Sequence, residues 1–359
     1  MITYIGLENI ISPLGITAEE NFNQIKQGNT SINYHRGIGF GHENIFLSKL
    51  KNTPSFYELL SQCLQAVIKG TEDELILSKD TIVIISTTKA DIKENITTPI
   101  IAAIKKLTKE FQLQQQPIVI SNACISGVLA MNTANNFIKA GIYKNAFVIG
   151  ADVVSDFVLY GFQSLYAISD KPCQPFDKNR TGISLGEGAG GVFMSSDKNV
   201  FKSTCFEFVE GTSSNDANHI SGPSRTGEGL VRTVNNSLAL AQLKPSAIDF
   251  ISAHGTGTSF NDEMEAIAFS RLGMNTIPLN SLKGYFGHTL GAAGLIETAI
   301  CLQSLRNNLL IKTLGFEEDG ASEKINITTR NITTEVTTIL KTASGFGGCN
   351  ASAIIRKLK

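Results

Sequence analysis

One pattern recurs in this chain and narrows its fold more than any other: a short β-branched run, a tight turn, then a long helical stretch. It occurs first at residues 118–120, followed by a turn bearing Cys124 and a helical pattern over 126–140. It occurs again at 277–279, followed by a turn bearing Lys283 and His288 and a helical pattern over 292–306. Short strands alternating with longer helices call for an α/β architecture with parallel strands. The same signals predict strands at 3–7, 81–86, 117–121, 146–151 and 190–195, and a second series at 205–211, 249–253, 277–280, 337–343 and 351–356. Helices are predicted at 56–69, 99–111, 126–140, 229–241, 262–272 and 292–306, with Pro99 in a first turn and Gly141 just past a helix end. Two like series imply two halves of one fold, 1–200 and 201–359, meeting near the polar break Asp197-Lys198-Asn199. The repeat is architectural, not one of sequence identity.

Composition supports a large packed core, since 42% of the 359 residues are hydrophobic and only 18% charged. A net charge of −1 gives no nucleic-acid footprint. The N-terminal residues lack a basic start and a long apolar run, and no segment reaches the ~20 apolar residues of a membrane span. Six cysteines are scattered without CxxC or Cys/His metal spacing, which reads as reduced thiols. The expectation is a cytoplasmic protein with no membrane or nucleic-acid partner.

Cys124 lies in Ser121-Asn122-Ala123-Cys124-Ile125-Ser126-Gly127, where a strand gives way to a helix. A thiol with an unperturbed pKa near ~8.5 needs its thiolate stabilised to be a useful nucleophile. A helix N-terminus offers free N–H groups and about half a positive charge. Small neighbours would permit a sharp elbow and close approach of a substrate. A buried structural cysteine is the competing reading, and it is the one adopted for the other five.

His254 ends a strand and enters a glycine-threonine turn, Gly255-Thr256-Gly257-Thr258, at the edge where parallel sheets place ligands. His288 precedes Gly291-Ala292-Ala293-Gly294, small residues that allow close helix packing. His35, His42 and His219 read as packing or surface residues. No metal site is expected, because neither His254 nor His288 has a second ligand at helical spacing. Gly186-Glu187-Gly188-Ala189-Gly190-Gly191 runs into a strand, not a helix, and no Walker pattern occurs, so nucleotide binding is not expected. Gly345-Phe346-Gly347-Gly348 joins two strands and could expose backbone N–H groups and swing Phe346.

Taken together these segments resemble the β-ketoacyl-acyl-carrier-protein synthases of the Cys-His-His elongating type, which have the thiolase fold. The resemblance runs through most of the chain. It is carried by Asn122-Ala123-Cys124-Ile125-Ser126-Gly127, by Pro175-Phe176-Asp177 through Gly182 with Leu185-Gly186-Glu187-Gly188-Ala189-Gly190, and by His254-Gly255-Thr256-Gly257-Thr258 with Asn261-Asp262-Glu263-Met264-Glu265. Asn280-Ser281-Leu282-Lys283-Gly284-Tyr285-Phe286-Gly287-His288 and Gly345-Phe346-Gly347-Gly348-Cys349-Asn350 complete it. It implies a thiolase-like fold of two pseudo-repeated αβαβα halves forming a five-layered core. It also implies an acyltransferase that performs decarboxylative Claisen condensation with malonyl-acyl carrier protein, in fatty-acid or polyketide/polyene-type biosynthesis.

The resemblance further implies roles. Cys124 would carry the acyl chain, and the N–H groups of Cys124 and Phe346 would form an oxyanion hole. His254 and His288 would stabilise the enolate, with Lys283, paired with Glu297, setting the local field. Thr256, Thr258 and Ser221 would bind the pantetheine arm, with Phe162 also placed at the substrate. Phe346 would act as a gate, supported by Gly345 and Gly347. The implied partners are an acyl carrier protein and a second subunit, as a homodimer or as a heterodimer with a related ketosynthase-like chain. No cofactor is implied, since phosphopantetheine arrives on the carrier protein.

Three departures stand out. Residues 87–116, essentially one helix, are much shorter than the region that caps the site in elongating members. Tyr166 falls where an Arg often contacts the carrier, and Ser344 replaces a Phe beside the gate. The rival reading is a non-catalytic or weakly catalytic chain-length-factor-like subunit. Retention of Cys124, both histidines and Lys283 argues against it, and a thioesterase would have no clear need for two histidines beside a lysine.

Overall fold

In the computed structural model, residues 1–52, 54–72, 74–92, 99–216, 219 and 222–358 are described. Ten strands form the main sheet: β1 (Thr3–Ile11), β2 (Thr81–Ser86), β3 (Ile118–Ile120), β4 (Asn145–Asp152), β5 (Gly188–Ser195), β6 (Phe206–Asn215), β7 (Phe250–Ser252), β8 (Leu279–Asn280), β9 (Thr338–Gly345) and β10 (Cys349–Arg356). Their spatial order is β3-β2-β4-β5-β1-β6-β10-β9-β7-β8. Read inward from either edge, each half places its third, second, fourth, fifth and first strand in that sequence. The directions repeat as well. In each half the three outer strands run parallel and the two inner pairings are antiparallel.

All ten expected strands are present. The predicted break between halves is bridged: Thr3–Ile5 of β1 pair with Phe206–Phe208 of β6, so the halves share one hydrogen-bonded sheet. Among the described residues nine helices accompany it: α1 (Ala18–Lys26), α2 (Phe56–Ile68), α3 (Pro99–Glu110), α4 (Ser126–Lys139), α5 (Asp156–Ser164), α6 (Glu228–Leu240), α7 (Ser259–Arg271), α8 (Lys283–Phe286) and α9 (Ala293–Asn307). The sequence reading missed α1, α5 and α8. The first two are short, and their start signals are single capping residues: Thr17 accepts from the Glu20 N–H, and Ser155 from the Val158 N–H.

Layering follows from which faces are apolar. Helix α2, started by a Ser55–Glu58 capping box, buries Leu59, Leu60, Cys63 and Leu64 on the outer face of the first half, with α3 beside it. Helices α6 and α7 cover the outer face of the second half. Between the halves lie α4 and α9, packed against strands of both. Helix α9 is buried on nearly every side, polar residues included, which explains why it shows no single apolar stripe. The result is the five-layered, thiolase-like α/β arrangement expected.

The two middle helices meet at their first turns. A Cβ at Gly127 would stand 2.9 Å from the Leu295 nitrogen and 3.1 Å from the Gly294 Cα, so only glycine permits this approach. Their starts carry the two chemistry-bearing turns to one place. The 87–116 segment is tied down nearby: buried Asp152, ending β4, accepts hydrogen bonds from Thr87 Oγ1 (2.7 Å), Thr88 N (2.9 Å) and Gly291 N (2.7 Å). Residues 93–98 of that segment lie outside the described residues.

Candidate active site

Cys124 sits in the turn between β3 and α4. Ala123 before it has φ +44°, a left-handed conformation costing about 1–2 kcal/mol for a residue with a Cβ. Ser126 staples this elbow: its hydroxyl donates to Ala123 O (2.6 Å) and accepts from Asn122 N (2.8 Å). Phe346 closes over the turn from the β9–β10 loop, and its backbone N–H donates to the Cys124 sulfur. A Cβ on Gly345 would stand 3.1 Å from the Cys124 nitrogen and 2.9 Å from the Cys349 sulfur, so the loop reaches the elbow only without one. The Phe346 ring stacks on Phe162 of α5, with centroids 5.4 Å apart.

His254 follows β7, and its loop is held from beneath by α7. His254 N and Gly255 N donate to the two oxygens of Glu265 (2.8 and 2.6 Å), and Thr256 N and Gly257 N to those of Asp262 (2.8 and 3.1 Å). These carboxylates lie three residues apart on one helix face, which is why one helix can serve four consecutive N–H groups. The sequence reading quoted both residues without assigning this role.

Lys283 Nζ reaches His254 O (2.6 Å), His254 Nδ1 (3.2 Å) and Glu297 Oε1 (2.7 Å). An ammonium has three donors and no acceptor, so Nδ1 of His254 accepts and the ring proton of the neutral form sits on Nε2. His288 reaches the same state by another route, because its Nδ1 accepts from Leu290 N (3.2 Å). Its Nε2, buried, has no hydrogen-bond partner among the described residues. The two rings stand 5.2 Å apart at 80°, and the Cys124 sulfur and one nitrogen of each ring lie within 4.8 Å of one another.

Electrostatics refine this picture. Burial, then the nearby Lys283 cation, hold the His254 and His288 imidazoles well below the ordinary histidine range, so both are neutral near pH 7. Glu297 is depressed despite its burial, because Lys283 and Lys341 flank it. The expectation of a pre-stabilised thiolate at the helix start is corrected. Burial, with Cys349 adding, pushes the Cys124 thiol up to about 12, and Lys283 and the Phe346 N–H offset only part of this. Desolvation outweighs the helix end, and the resting group is a thiol.

The site opens on a cavity of about 760 Å³. Thr256, Thr258, Phe162, Ser344 and Phe346 line it, as do Tyr166 and His219 near the surface, the latter read from sequence as a mere packing or surface residue. Tyr166 is 94% exposed. Thr258 doubles as the N-cap of α7, and its hydroxyl lies 2.9 Å from that of Thr256. Ser344 Oγ donates to Asn350 Oδ1 (2.8 Å). Ser221 lies outside the described residues. The sequence reading overlooked Lys341, whose signal was available: it is the one charged residue in β9, among Ile339, Leu340 and Ala343.

Two family models match the chain, the β-ketoacyl synthase N-terminal domain over residues 78–199 and the β-ketoacyl synthase C-terminal domain over residues 207–317. The chain belongs to the β-ketoacyl synthase family. Among individual members, it is 31% identical over 258 residues to a putative mitochondrial 3-oxoacyl-acyl-carrier-protein synthase of Schizosaccharomyces pombe, covering 66% of this chain and 60% of that one. It is 31% identical over 253 residues to 3-oxoacyl-acyl-carrier-protein synthase 2 of Rhizobium meliloti, with coverage of 66% and 60%. These matches thus span less than two thirds of the relatives' own length. In fold it is similar to a ketosynthase from Xenorhabdus doucetiae solved in complex with its chain length factor: TM-score 0.85, 24% identity, covering 99% of this chain and 98% of that one. No helix among the described residues is long and apolar enough to cross a membrane.

All six cysteines of this β-ketoacyl synthase are buried and unpaired, and each has its thiol raised. Burial takes Cys63, Cys124 and Cys173 to about 12 and Cys301 and Cys349 to about 11, against an ordinary 9.0. A raised folded-state value means the folded chain holds more protons than the unfolded one above pH 9. The stability these thiols confer is therefore full below pH 9 and is lost as pH rises toward 11–12, at about 1.4 kcal/mol per pH unit for each. Urea unfolding under reducing conditions should show a midpoint that falls steeply above pH 9. A midpoint level to pH 10.5 would contradict the burial described.

Proposed function

We propose that this chain is a β-ketoacyl-acyl-carrier-protein synthase that joins a Cys124-bound acyl group to the two-carbon unit of a malonyl thioester. The carrying observation is the meeting of one sulfur and two imidazoles within 4.8 Å, with each ring's Nδ1 accepting and its Nε2–H left as the donor. The half spanning 1–200 supplies the nucleophile and the half spanning 201–359 the imidazoles. In the first step Cys124 attacks an acyl thioester on a carrier protein. The S–H proton of Cys124 is lost as its C–S bond forms, the thioester's C–S bond breaks, and one proton ends on the departing pantetheine sulfur, so one thiol is consumed and one released.

In the second step the carbon–carboxylate bond of the malonyl thioester breaks, CO₂ leaves, and the electron pair moves into an enolate. Two Nε2–H donors, fixed before the reaction, would receive that oxygen. Such donors are worth ~3–4 kcal/mol each. The carbanion then attacks the acyl carbonyl. The Cys124 and Phe346 N–H groups would hold the tetrahedral oxygen, the Cys124 C–S bond breaks, a 3-oxoacyl thioester leaves, and the Cys124 thiolate takes one proton from water to return to the thiol. Thr256 and Thr258 would bind the pantetheine arm, Phe346 would gate it, and no resident cofactor is required. A carrier protein and a ketosynthase-type second subunit are the proposed partners. Its similarity to 3-oxoacyl-acyl-carrier-protein synthases and the complete Cys-His-His set support this reading over a subunit without chemistry of its own.

Product analysis tests it. With an acyl-carrier thioester and malonyl-carrier protein, the expected product is a 3-oxoacyl thioester two carbons longer, with one CO₂ released per turnover. Acylation of Cys124 without any such product would refute condensation.

A further inference from the structure

Beneath the histidines lies a buried lysine that the mechanism above does not use. Lys341 is fully buried on β9, in register with Ser252 of β7. Its Nζ donates to Thr342 O (2.6 Å) and Ser252 O (3.1 Å), and forms an ion pair with Glu297 Oε2 (2.8 Å). The other Glu297 oxygen holds Lys283, which in turn holds His254. An unbroken chain, Lys341–Glu297–Lys283–His254, therefore runs from the middle of the sheet to the reacting imidazole.

Burying a second ammonium for one carboxylate is costly, and an apolar residue would fill a central strand more stably. Its presence calls for a use. We propose that Lys341 is a positioning residue of this site: acting through Glu297, it fixes Lys283 against His254 and supplies a second cation beneath both imidazoles. It also ties the carbonyl end of β7 immediately before His254, so bracket and charge act at one point.

The charged and titratable surroundings are consistent. Lys283 and Lys341 both push His254 and His288 toward the neutral state. The facing groups are Glu297 and Cys301 from α9, Asp262 and Glu265 from α7, Asp152 from β4, Arg180 beside Asp262, and Cys124 and Cys173. Glu265 is raised to about 7 by burial and then by Asp262, so it offers only partial compensation near neutrality. Two lysines thus share the single Glu297 carboxylate, one on each oxygen, beneath the rings.

Two variants separate charge from bracket: Lys341→Gln retains a donor, and Lys341→Met removes both. The first readout is imidazole titration by NMR in folded, carbon-13-labelled protein, with His254 and His288 resonances assigned from single His→Asn variants. Both variants should move these titrations to higher pH, since one repelling cation is gone. The second readout, which rests on the proposed condensing activity, is malonyl decarboxylation. The expected result is an about tenfold loss of kcat at neutral pH, an acid limb moved to higher pH, and an unchanged KM for the carrier thioester. If the unaltered chain does not decarboxylate malonyl thioesters, the proposed function fails while the titration still decides the role of Lys341. Unchanged His254 and His288 titrations in folded Lys341→Gln would overturn the proposal and leave the lysine a structural strut.

Discussion

Exchange of Cys124 for alanine is expected to abolish acyl loading and to reduce condensation by about 10⁴-fold or more, the scale seen when a covalent nucleophile is removed. The expectation rests on geometry. The Phe346 N–H aims at this sulfur, and one nitrogen of each imidazole lies within 4.8 Å of it, with no second thiol in that cluster among the described residues. Cys349 is close enough to raise Cys124 electrostatically, yet its own sulfur is turned toward Phe346 O at 3.4 Å. Intact-protein mass spectrometry after incubation with an acyl-carrier thioester checks this: the mass gain of the unaltered chain should vanish. Decarboxylation of malonyl thioester should persist, because it needs the Nε2–H donors and not the thiol. Continued loading in the alanine variant would move the nucleophile elsewhere.

Removing both imidazoles, His254→Ala with His288→Ala, should separate the two steps. Each lost donor to a developing oxyanion costs 10²–10³ in rate, and the pair is not additive because both face one oxygen. Condensation and CO₂ release are expected to fall at least 10³-fold, whereas loading, in which these donors hold no enolate oxygen, should fall by no more than about 10²-fold. The acyl-enzyme would then accumulate without CO₂ release, observable by mass spectrometry alongside radiolabelled bicarbonate capture. Parallel loss of both steps would place the imidazoles on the thiol rather than on the enolate.

Why these residues could be read from sequence, and others not, is a matter of range. Cys124, His254, Lys283 and His288 each sit in a local turn whose small residues announce a strand end and a close approach. The ten strands were legible for the same reason, since β-branched runs need no distant partner to declare themselves. Ion pairing is different. Glu297 and Lys341 meet only because α9 crosses beneath β9, and sequence spacing says nothing of that. The protonation of Cys124 was likewise out of reach. Its place at the helix start was visible, but its burial, which decides the sign, and the added push of Cys349 and Asp152 depend on the packing of distant segments. Helix α5 was missed although it presents Phe162 to the gate, because nine residues with one capping serine give little periodic signal.

The repeated strand order has a consequence for how such a site can change. Cys124 leads into α4 and His288 into α9, so the proposed nucleophile and a proposed enolate-holding donor occupy matching positions in the two halves. Neither copy needs to hold both kinds of chemistry, and each middle helix seals the open face of the other. The reaction centre is thus an internal subunit interface within one chain. A fragment ending in the connector between β5 and β6 would be half an enzyme with an uncovered apolar wall, and function would return only when two unlike pieces find each other.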